Sequence, residues 1–575
     1  MILQALTQLF EDLVSQSKLS RPGWSPAKIS YALCVDEEGH LEYVVPTLVE
    51  TPVGKKLQLR PRPVELPAAV TRTVGILPNF LWDNSTYFLG FDDKDKPERA
   101  KKCFEASRQL HHELLDGVNT PAAKAILAFF DGWQPEEAQH HPALAECYQE
   151  LLKGCNLMFR VGEHYAQEDP RIRDAWNARY GQTQGEPQQC LVTGKADVPA
   201  ATHPSIKGVA GAQSSGAAMV SFNAPAFCSY GKEQSLNAPV GKYAAFAYTA
   251  ALNHLLSDKS NVHRIGDTTV VFWAEGAEPQ YDLFAGLGLF GDALPEGLTD
   301  RDLRDAMKNL AQGLPCEALD LDLDPNRNFY ILGLSPNAAR LSVRFFFRNS
   351  FGALMKNVND HNSRLEIEGA RFAVMPLWAM LRETVNLNTT DKSPSPILAG
   401  AAARAIFTGT PYPAALMEAT MLRIRAEREI TPGRAAILKA YYLKNPNALC
   451  PEEVLTVSLN ENSTNIPYTL GRLFAVYEEA QERANPGINA TIKDKYFNSA
   501  AATPATIFPI LSNLSQKHLR KLDIGARTAL DRKISGILGI LGESFPVRLS
   551  LPEQGSFYLG YYHQKQSRFT KKEDK

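Results

Sequence analysis

Cysteine is sparse in this sequence, and its spacing excludes the common metal and disulfide frameworks. The chain of 575 residues holds 8 cysteines, and no two of them form a Cys-x-x-Cys pair. Zinc ribbons and disulfide-stapled scaffolds depend on such clusters. Scattered thiols are typical of a reducing compartment, so we predict a cytoplasmic protein without structural disulfides.

Long apolar runs and phosphate-binding motifs are missing as well. No run of about 18 apolar residues occurs, which predicts that no segment spans a membrane. The pattern GxxxxGK[ST] is absent, since Gly241-Lys242 is followed by Tyr243. The segment GLGLFG at 286–291 fits GxGxxG in form only, because no clear strand precedes it directly.

A search for catalytic groups gives no ordered acid–base or metal constellation. Cys190 and His203 could in principle form a thiol–imidazole pair, but nothing in their order or context supports one. An enzyme of this size should show at least one such arrangement. We therefore predict no catalytic residue, no metal and no cofactor, and favour a binding or scaffolding protein.

The residues that are present indicate an ordinary globular chain with an uneven charge distribution. Hydrophobic residues make up 44% of the sequence and charged residues 22%. Residues 400–575 carry 23 Lys and Arg against 16 Asp and Glu, whereas residues 1–399 carry 38 against 47. A basic C-terminal third favours a polyanion or an acidic partner, although a solvated helical surface explains it equally well.

The pattern of apolar residues predicts an α+β fold in two parts. Residues 1–370 read as a mixed α/β body with antiparallel hairpins, of which 328–334 with 339–347 is a clear example. From 371 to 575 the strand signal fades and a C-terminal helical bundle is expected. Its predicted helices lie near 374–386, 396–408, 412–428, 433–443, 466–484, 503–522 and 526–541.

One stretch, residues 203–237, combines glycines with small polar side chains and a single acid, Glu233. Glycine lets a main chain turn sharply and approach a ligand closely, while amides and hydroxyls donate and accept hydrogen bonds. Residues 217–222 (AAMVSF) are apolar enough for a short buried strand between two loops. Two turns packed on the core, without any binding role, are an alternative interpretation.

A second basic segment lies near the N-terminus. Residues 54–64 (GKKLQLRPRPV) carry four positive charges and no acid before Glu65, and two prolines argue against a regular element. The prediction is an exposed basic loop, which suits phosphate contacts or is simply solvated.

The central stretch and its surroundings resemble the Csd-type large subunit of the type I-C CRISPR Cascade complex. The resemblance covers essentially the whole chain. The segments that carry it are CLVTG at 190–194, 206–211, QSSG at 213–216, SFN at 221–223, 226–227, SYGK at 229–232, Gln234, NAPV at 237–240, 1–6, 76–90 and 329–347.

This resemblance implies a non-catalytic subunit of an RNA-guided antiviral complex. Such subunits sit at the crRNA 5′ end, recognise the protospacer-adjacent motif in double-stranded DNA and help open the duplex. The implied partners are the crRNA, target DNA, the Cascade backbone and small subunits, and a separate helicase-nuclease. The helical end would resemble the small subunit, which can be translated from an internal start; Met417 and Met421 mark where an AUG start would fall.

The DNA-binding residues follow from chemistry together with the resemblance. The group predicted to lie at the motif comprises Lys207, Gln213, Ser214, Ser215 and Asn223. The group predicted to hold phosphates comprises Lys232, Lys55, Lys56 and Arg60. Two other function classes stay open: a scaffold that caps the crRNA 5′ end without reading DNA, and a nuclease or hydrolase.

Overall fold

The structure is a computed structural model that describes residues 1–53, 56–70, 72, 75–94, 96–181, 185–222, 224–291, 299–312, 314, 323–370, 375–390 and 392–569. The chain forms two compact units. One comprises Met1, Leu3–Pro204 and Phe222–Ala251, and the other comprises Ile2, Ser205–Ser221 and Leu252–Lys575. The predicted boundary at residue 370 stays a prediction.

The first unit contains three antiparallel or mixed sheets. Its strands are β1 (Trp24–Ile29), β2 (Tyr31–Val35), β3 (Leu41–Pro46), β4 (Leu48–Val53), β5 (Lys56–Pro67), β6 (Trp82–Asn84), β7 (Asn156–Val161), β8 (His164–Tyr165), β9 (Gln188–Gln189) and β10 (Ala196–Asp197). The largest sheet has the order β3-β2-β7-β6, with β8 on β7, and only its β2–β7 pair is parallel.

Helices cover this sheet and close an aromatic core. They are α2 (Ser85–Phe88), α3 (Pro97–Leu115), α4 (Pro121–Gly132), α5 (Tyr148–Leu152) and α6 (Pro170–Gly181). Helices α1 (Ile2–Ser15) and α7 (Lys242–Ser257) pack on each other, with the ring centroids of Phe10 and Phe246 5.7 Å apart. Residues 252–257 of α7 belong to the second unit. In the core Phe88 stacks on Phe159, with ring centroids 4.7 Å apart, and packs edge-to-face on Phe130. The β2–β3 hairpin around residues 36–40 brings Leu33 and Leu41 into the same core.

Residues 56–64 of the basic segment belong to the long strand β5 rather than to the predicted loop, and residues 54–55 lie outside the described residues. Within β5, residues 56–61 pair with β4 and residues 62–67 pair with β1. Among the described residues, each half therefore pairs with one strand only, and a strand with an unpaired edge tolerates proline. Pro61 and Pro63 lie where β5 changes partner, so the two prolines do not prevent a regular element.

The second unit is built around an antiparallel sheet of order β11-β12-β13-β14. Its strands are β11 (Val262–Ile265), β12 (Thr268–Ala274), β13 (Asn328–Asn337) and β14 (Arg340–Ser350). The predicted hairpin is confirmed as β13–β14, but its turn lies at 338–339 and not at the predicted residues 335–337, because these three residues pair with residues 340–342 of β14. All residues of β12 are buried, as the run TVVFWA indicates.

Helices form the rest of the second unit, and the fold class is α+β as predicted. They are α8 (Pro279–Ala285), α9 (Asp300–Ala311), α10 (Phe351–Leu365), α11 (Leu377–Arg382), α12 (Pro396–Thr408), α13 (Ala414–Glu427), α14 (Pro432–Lys444), α15 (Ile466–Ala484), α16 (Ile492–Ala502), α17 (Pro504–Leu519), α18 (Ile524–Leu541) and α19 (Leu551–Gln566). A π-helical turn, Gly286–Phe290, follows α8.

The closest helix pair is α15 with α19. A Cβ atom on Gly471 would overlap the carbonyl oxygen of Phe557, and one on Gly560 would overlap that of Tyr468. These two glycines therefore let the helix backbones touch, and Tyr468 and Phe557 are fully buried beside them. Within the described part of the chain, no helix is long and apolar enough to cross a bilayer.

Candidate nucleic-acid interface

Residues Ser205–Ser221 form a loop that is closed at its base. Ile206 and Ala217 exchange two main-chain hydrogen bonds, with N···O distances of 2.9 and 2.8 Å. The Ala218 N–H then donates to Ala339 at 3.0 Å, and the Leu341 N–H donates to Ala218 at 2.9 Å, beside the β13–β14 turn. The predicted strand at 217–222 is thus reduced to two bridging residues.

A side chain from α7 fixes the entry to this loop. The Asn253 Oδ1 atom accepts a hydrogen bond from the Lys207 N–H at 2.8 Å, and its Nδ2 donates to the Ser205 carbonyl at 3.1 Å. Further along, the Ala210 N–H donates to Thr269 Oγ1 at 3.1 Å. These contacts leave little freedom in the loop main chain.

Buried apolar side chains anchor the loop to the core. Ile206, Val209 and Ala217 are buried, whereas most residues between them are exposed and Gly216 is buried beside Ala217. Gly216 has φ +100°, and a Cβ there would lie 2.7 Å from Ser205 Cβ. Its conformation and the tight contact both require glycine, so this glycine shapes the loop rather than making room for a ligand.

The tip of the loop presents the predicted polar groups. Lys207, Gln213, Ser214 and Ser215 are all exposed, and a turn closed by a 2.9 Å hydrogen bond from the Gly216 N–H to the Gln213 carbonyl holds three of them. We name residues 207–216 the polar loop. Its tip offers an amide and two hydroxyls to a ligand, and its entry offers the ammonium group of Lys207.

The other predicted site residues are distributed differently. Lys232 and Arg60 are exposed but belong to the first unit, and Lys56 is the first residue of β5. Asn223 and Lys55 lie outside the described residues. The structure therefore brings together four of the nine predicted residues, all of them in the polar loop.

Strands β4 and β5 form a hairpin that is exposed on both faces. Along β5, the polar residues Gln58, Arg60 and Arg62 alternate with Leu57, Leu59 and Pro61. Leu57 and Leu59 are 65% and 66% exposed, and Arg60 points from the other face. One face of this β4–β5 arm therefore presents positive charge to solvent.

Lys232 lies in a loop that Asn237 organises. The Asn237 Oδ1 accepts from the Ser229 N–H at 2.8 Å, and its Nδ2 donates to the carbonyls of Lys232 and Gln234 at 3.0 and 2.9 Å. Glu233 is the single acid in this segment. We name residues 229–237 the Tyr230 loop, because Tyr230 is 99% exposed at its tip.

Cys190 and His203 have separate partners rather than forming a thiol–imidazole pair. Burial raises the pKa of the Cys190 thiol, but hydrogen bonds from residues that include Val192 and Gly241 outweigh burial and leave the pKa below its usual value. The His203 Nδ1 lies 2.7 Å from the Tyr248 hydroxyl, and burial lowers the pKa of His203. Among the described residues, no three His, Cys, Asp or Glu side chains are placed to hold a metal ion.

Sequence reasoning missed the residues that position the loops. Asn253 is distant from the polar loop in sequence and reads as an ordinary helix residue. Thr269 reads as a buried strand residue, and Asn237 as part of a turn. Their roles depend on tertiary contacts, so a single sequence carries no signal for them, apart from the ability of Asn to cap turns.

Comparison with known proteins adds one finding. A family model described as CRISPR-associated protein (Cas_Csd1) matches residues 6–569 of the chain. No curated protein matches the sequence.

Proposed function

The chain belongs to the CRISPR-associated Cas_Csd1 family, and we propose that it is the Cascade subunit that recognises the protospacer-adjacent motif in double-stranded DNA. In this proposal it works with a guide RNA and the other Cascade subunits, helps open the duplex, and recruits a separate helicase-nuclease. It performs no chemistry itself.

The polar loop is the single observation that carries the proposal. Its tip exposes Gln213, Ser214 and Ser215 on a main chain that is fixed by Asn253 and by the Ile206–Ala217 pair. A preorganised loop loses little conformational freedom on binding. It is therefore suited to contact base edges rather than to wrap nonspecifically.

An amide and two hydroxyls match the chemistry of the minor groove. That groove presents acceptors at A·T pairs and adds one donor at G·C pairs, so a side chain that donates and accepts can distinguish the two. Guide pairing reads the rest of the target, so the protein needs to read only a short motif. Gln213 is the residue proposed to make this distinction.

Positive side chains would supply affinity without sequence preference. Lys207 is the first residue of the polar loop, whereas Lys232 and Arg60 are exposed in the first unit, with Lys56 at the start of β5. Phosphate contacts position a protein on DNA, whereas base contacts give it specificity. The basic C-terminal third is proposed to lie along displaced single-stranded DNA.

The test is a gel shift with the assembled, guide-loaded complex on duplexes that differ in the motif alone. We expect the wild-type complex to prefer one motif, and Gln213→Ala to reduce that preference while binding of non-preferred duplexes persists. Gln149→Ala is the control, because Gln149 is exposed on α5 of the first unit. Equal binding of all duplexes by the wild-type complex would support the scaffold function instead.

A second assay addresses catalysis. The purified chain is incubated with labelled DNA and Mg²⁺ or Mn²⁺, and the DNA is expected to remain intact. Cleavage that co-purifies with the wild-type chain through successive columns would refute the proposal that a separate protein cuts the target.

A further inference from the structure

Tyr230 is presented to solvent in a way that packing does not explain. Its side chain is 99% exposed, whereas the tyrosines of the following helix α7, Tyr243 and Tyr248, are largely covered. An aromatic ring gains stability by burial, and a fully exposed ring forgoes that gain. Such a ring is a candidate contact for a ligand.

The main chain at this position is held in an uncommon conformation. Tyr230 has φ +53°, and Gly231 follows with φ +68°. For a bulky residue the left-handed region is unfavourable, so neighbouring contacts must maintain it. They are the three hydrogen bonds of the Asn237 side chain and the 3.0 Å bond from the Lys232 N–H to the Ser229 carbonyl.

The surroundings of the ring indicate which ligand it suits. Ser229, Gly231, Lys232 and Glu233 next to it are exposed and hydrophilic. Aromatic anchors at protein interfaces lie in apolar, desolvated pockets, whereas a ring beside a lysine on a polar loop is typical of single-stranded nucleic-acid binding. The ligand favoured is therefore a nucleobase with its adjoining phosphate.

We propose that Tyr230 is a stacking platform for one unpaired nucleobase, with Lys232 contacting the phosphate beside it. Because the Tyr230 loop is fixed before binding, the ring is already in position for the base. This inference rests on the proposed nucleic-acid function, but not on Gln213 or on recognition of any motif.

The full-length chain and matched variants test the proposal with single-stranded DNA and single-stranded RNA that carry one 2-aminopurine. Stacking on tyrosine should quench that fluorophore in the wild-type complex. We expect Tyr230→Ala to abolish the quenching and to weaken binding about 5- to 100-fold. Tyr230→Phe should keep both, because the ring alone is required, and Tyr230→Leu should behave like the alanine variant.

Salt dependence separates the two residues. Stacking releases no counterions, so Tyr230→Ala should leave the slope of log K against log salt unchanged, whereas Lys232→Ala should lower it by about 0.7. Tyr43→Ala is the control, because Tyr43 is an exposed tyrosine of the first unit, in β3. If Tyr230→Ala loses more affinity for DNA than for RNA, the ligand is a DNA strand, and the reverse result identifies an RNA strand.

Three outcomes would overturn the inference. In the first, Tyr230→Ala binds single strands as tightly as the wild type. In the second, Tyr230→Phe loses as much binding affinity as Tyr230→Ala. In the third, Tyr230→Ala binds single strands normally but no longer co-purifies with other Cascade subunits, which would assign the ring to a protein contact. An abasic site at the stacked position should remove the difference between wild type and Tyr230→Ala. Motif-independent duplex binding by the wild-type complex would refute the proposed function while leaving this stacking result intact.

Discussion

The side chain of Asn253 holds the main chain of Lys207 through a 2.8 Å hydrogen bond, although the two residues are far apart in sequence. The same side chain also donates to the Ser205 carbonyl at 3.1 Å. One amide thus satisfies an N–H and a carbonyl at the entry to the polar loop. A carboxylate could replace only the first of these bonds.

The first prediction concerns this clamp. Asn253→Ala should cost about 1–2 kcal/mol of stability, because it removes both hydrogen bonds, and it should also reduce motif preference in the gel shift. Asn253→Asp retains the acceptor for the Lys207 N–H and should retain more of that preference. Full motif preference in Asn253→Ala would show that the polar loop does not depend on its anchor.

The second prediction separates backbone strain from crowding. Gly216 and Gly154 both have positive φ, at +100° and +84°, but a Cβ would meet close neighbours only at Gly216. Gly154→Ala should therefore lose about 1 kcal/mol from strain, and Gly216→Ala about 1–3 kcal/mol from strain together with crowding. Urea unfolding of the two variants gives the comparison, and equal losses would contradict the crowding at Gly216.

The third prediction concerns the β4–β5 arm. Lys56 and Arg60 are four residues apart in β5, which places both positions on one face of the strand. Changing both to glutamine should weaken the binding of all duplexes alike and lower the salt slope by about 1.8. The control changes Lys124 and Arg171, which are exposed on helices α4 and α6.

If the double variant of Lys56 and Arg60 has the same salt slope as the wild type, the β4–β5 arm does not contact DNA phosphates. If the double variant instead changes motif preference and keeps its overall affinity, the β4–β5 arm contacts base edges.

The fourth prediction is a pH dependence of stability that arises from His111. This fully buried ring accepts a hydrogen bond from the Leu81 N–H at 3.1 Å and donates to the Ser107 carbonyl at 2.7 Å, which requires the neutral form. Burial, with a smaller contribution from the adjacent His112, lowers its pKa to about 4 in spite of the hydrogen bond to Ser107, which acts in the opposite direction. In the unfolded chain the ordinary value of 6.5 applies.

Between pH 6.5 and about 4 the unfolded state therefore binds the additional proton, so stability falls as the solution is acidified across this window. The contribution of His111 is on the order of 3 kcal/mol. Urea unfolding at a series of pH values should give a flatter profile for His111→Gln than for the wild type. Parallel profiles would show that His111 does not titrate differently in the two states.

Much of the architecture follows from local sequence patterns. The two strands of the β13–β14 hairpin and helices such as α12 (Pro396–Thr408) and α15 (Ile466–Ala484) lie where the pattern of apolar residues predicts them, whereas the hairpin turn lies beyond the predicted residues 335–337. Helix α19 (Leu551–Gln566) was not predicted, because its run of aromatic residues and two glycines is untypical of a helix. Packing against α15 overrides that local preference.

The site could be predicted only in part. Exposure of Gln213, Ser214 and Ser215 follows from their polar character, and the structure confirms it. The fixed geometry behind them depends on Asn253 and Thr269, which approach the loop only in the folded chain. Local patterns cannot show such a contact.

The exchange of partners along β5 has a consequence for the chain before it joins a complex. In the described part of the chain, each half of β5 leaves one edge without a paired strand, and such edges invite a second molecule to add a strand of its own. Pro61 and Pro63 have no N–H to offer to an incoming strand, and Arg60 and Arg62 bring positive charge that repels an identical arm. These residues therefore oppose self-association of the free chain through the exposed β4–β5 arm.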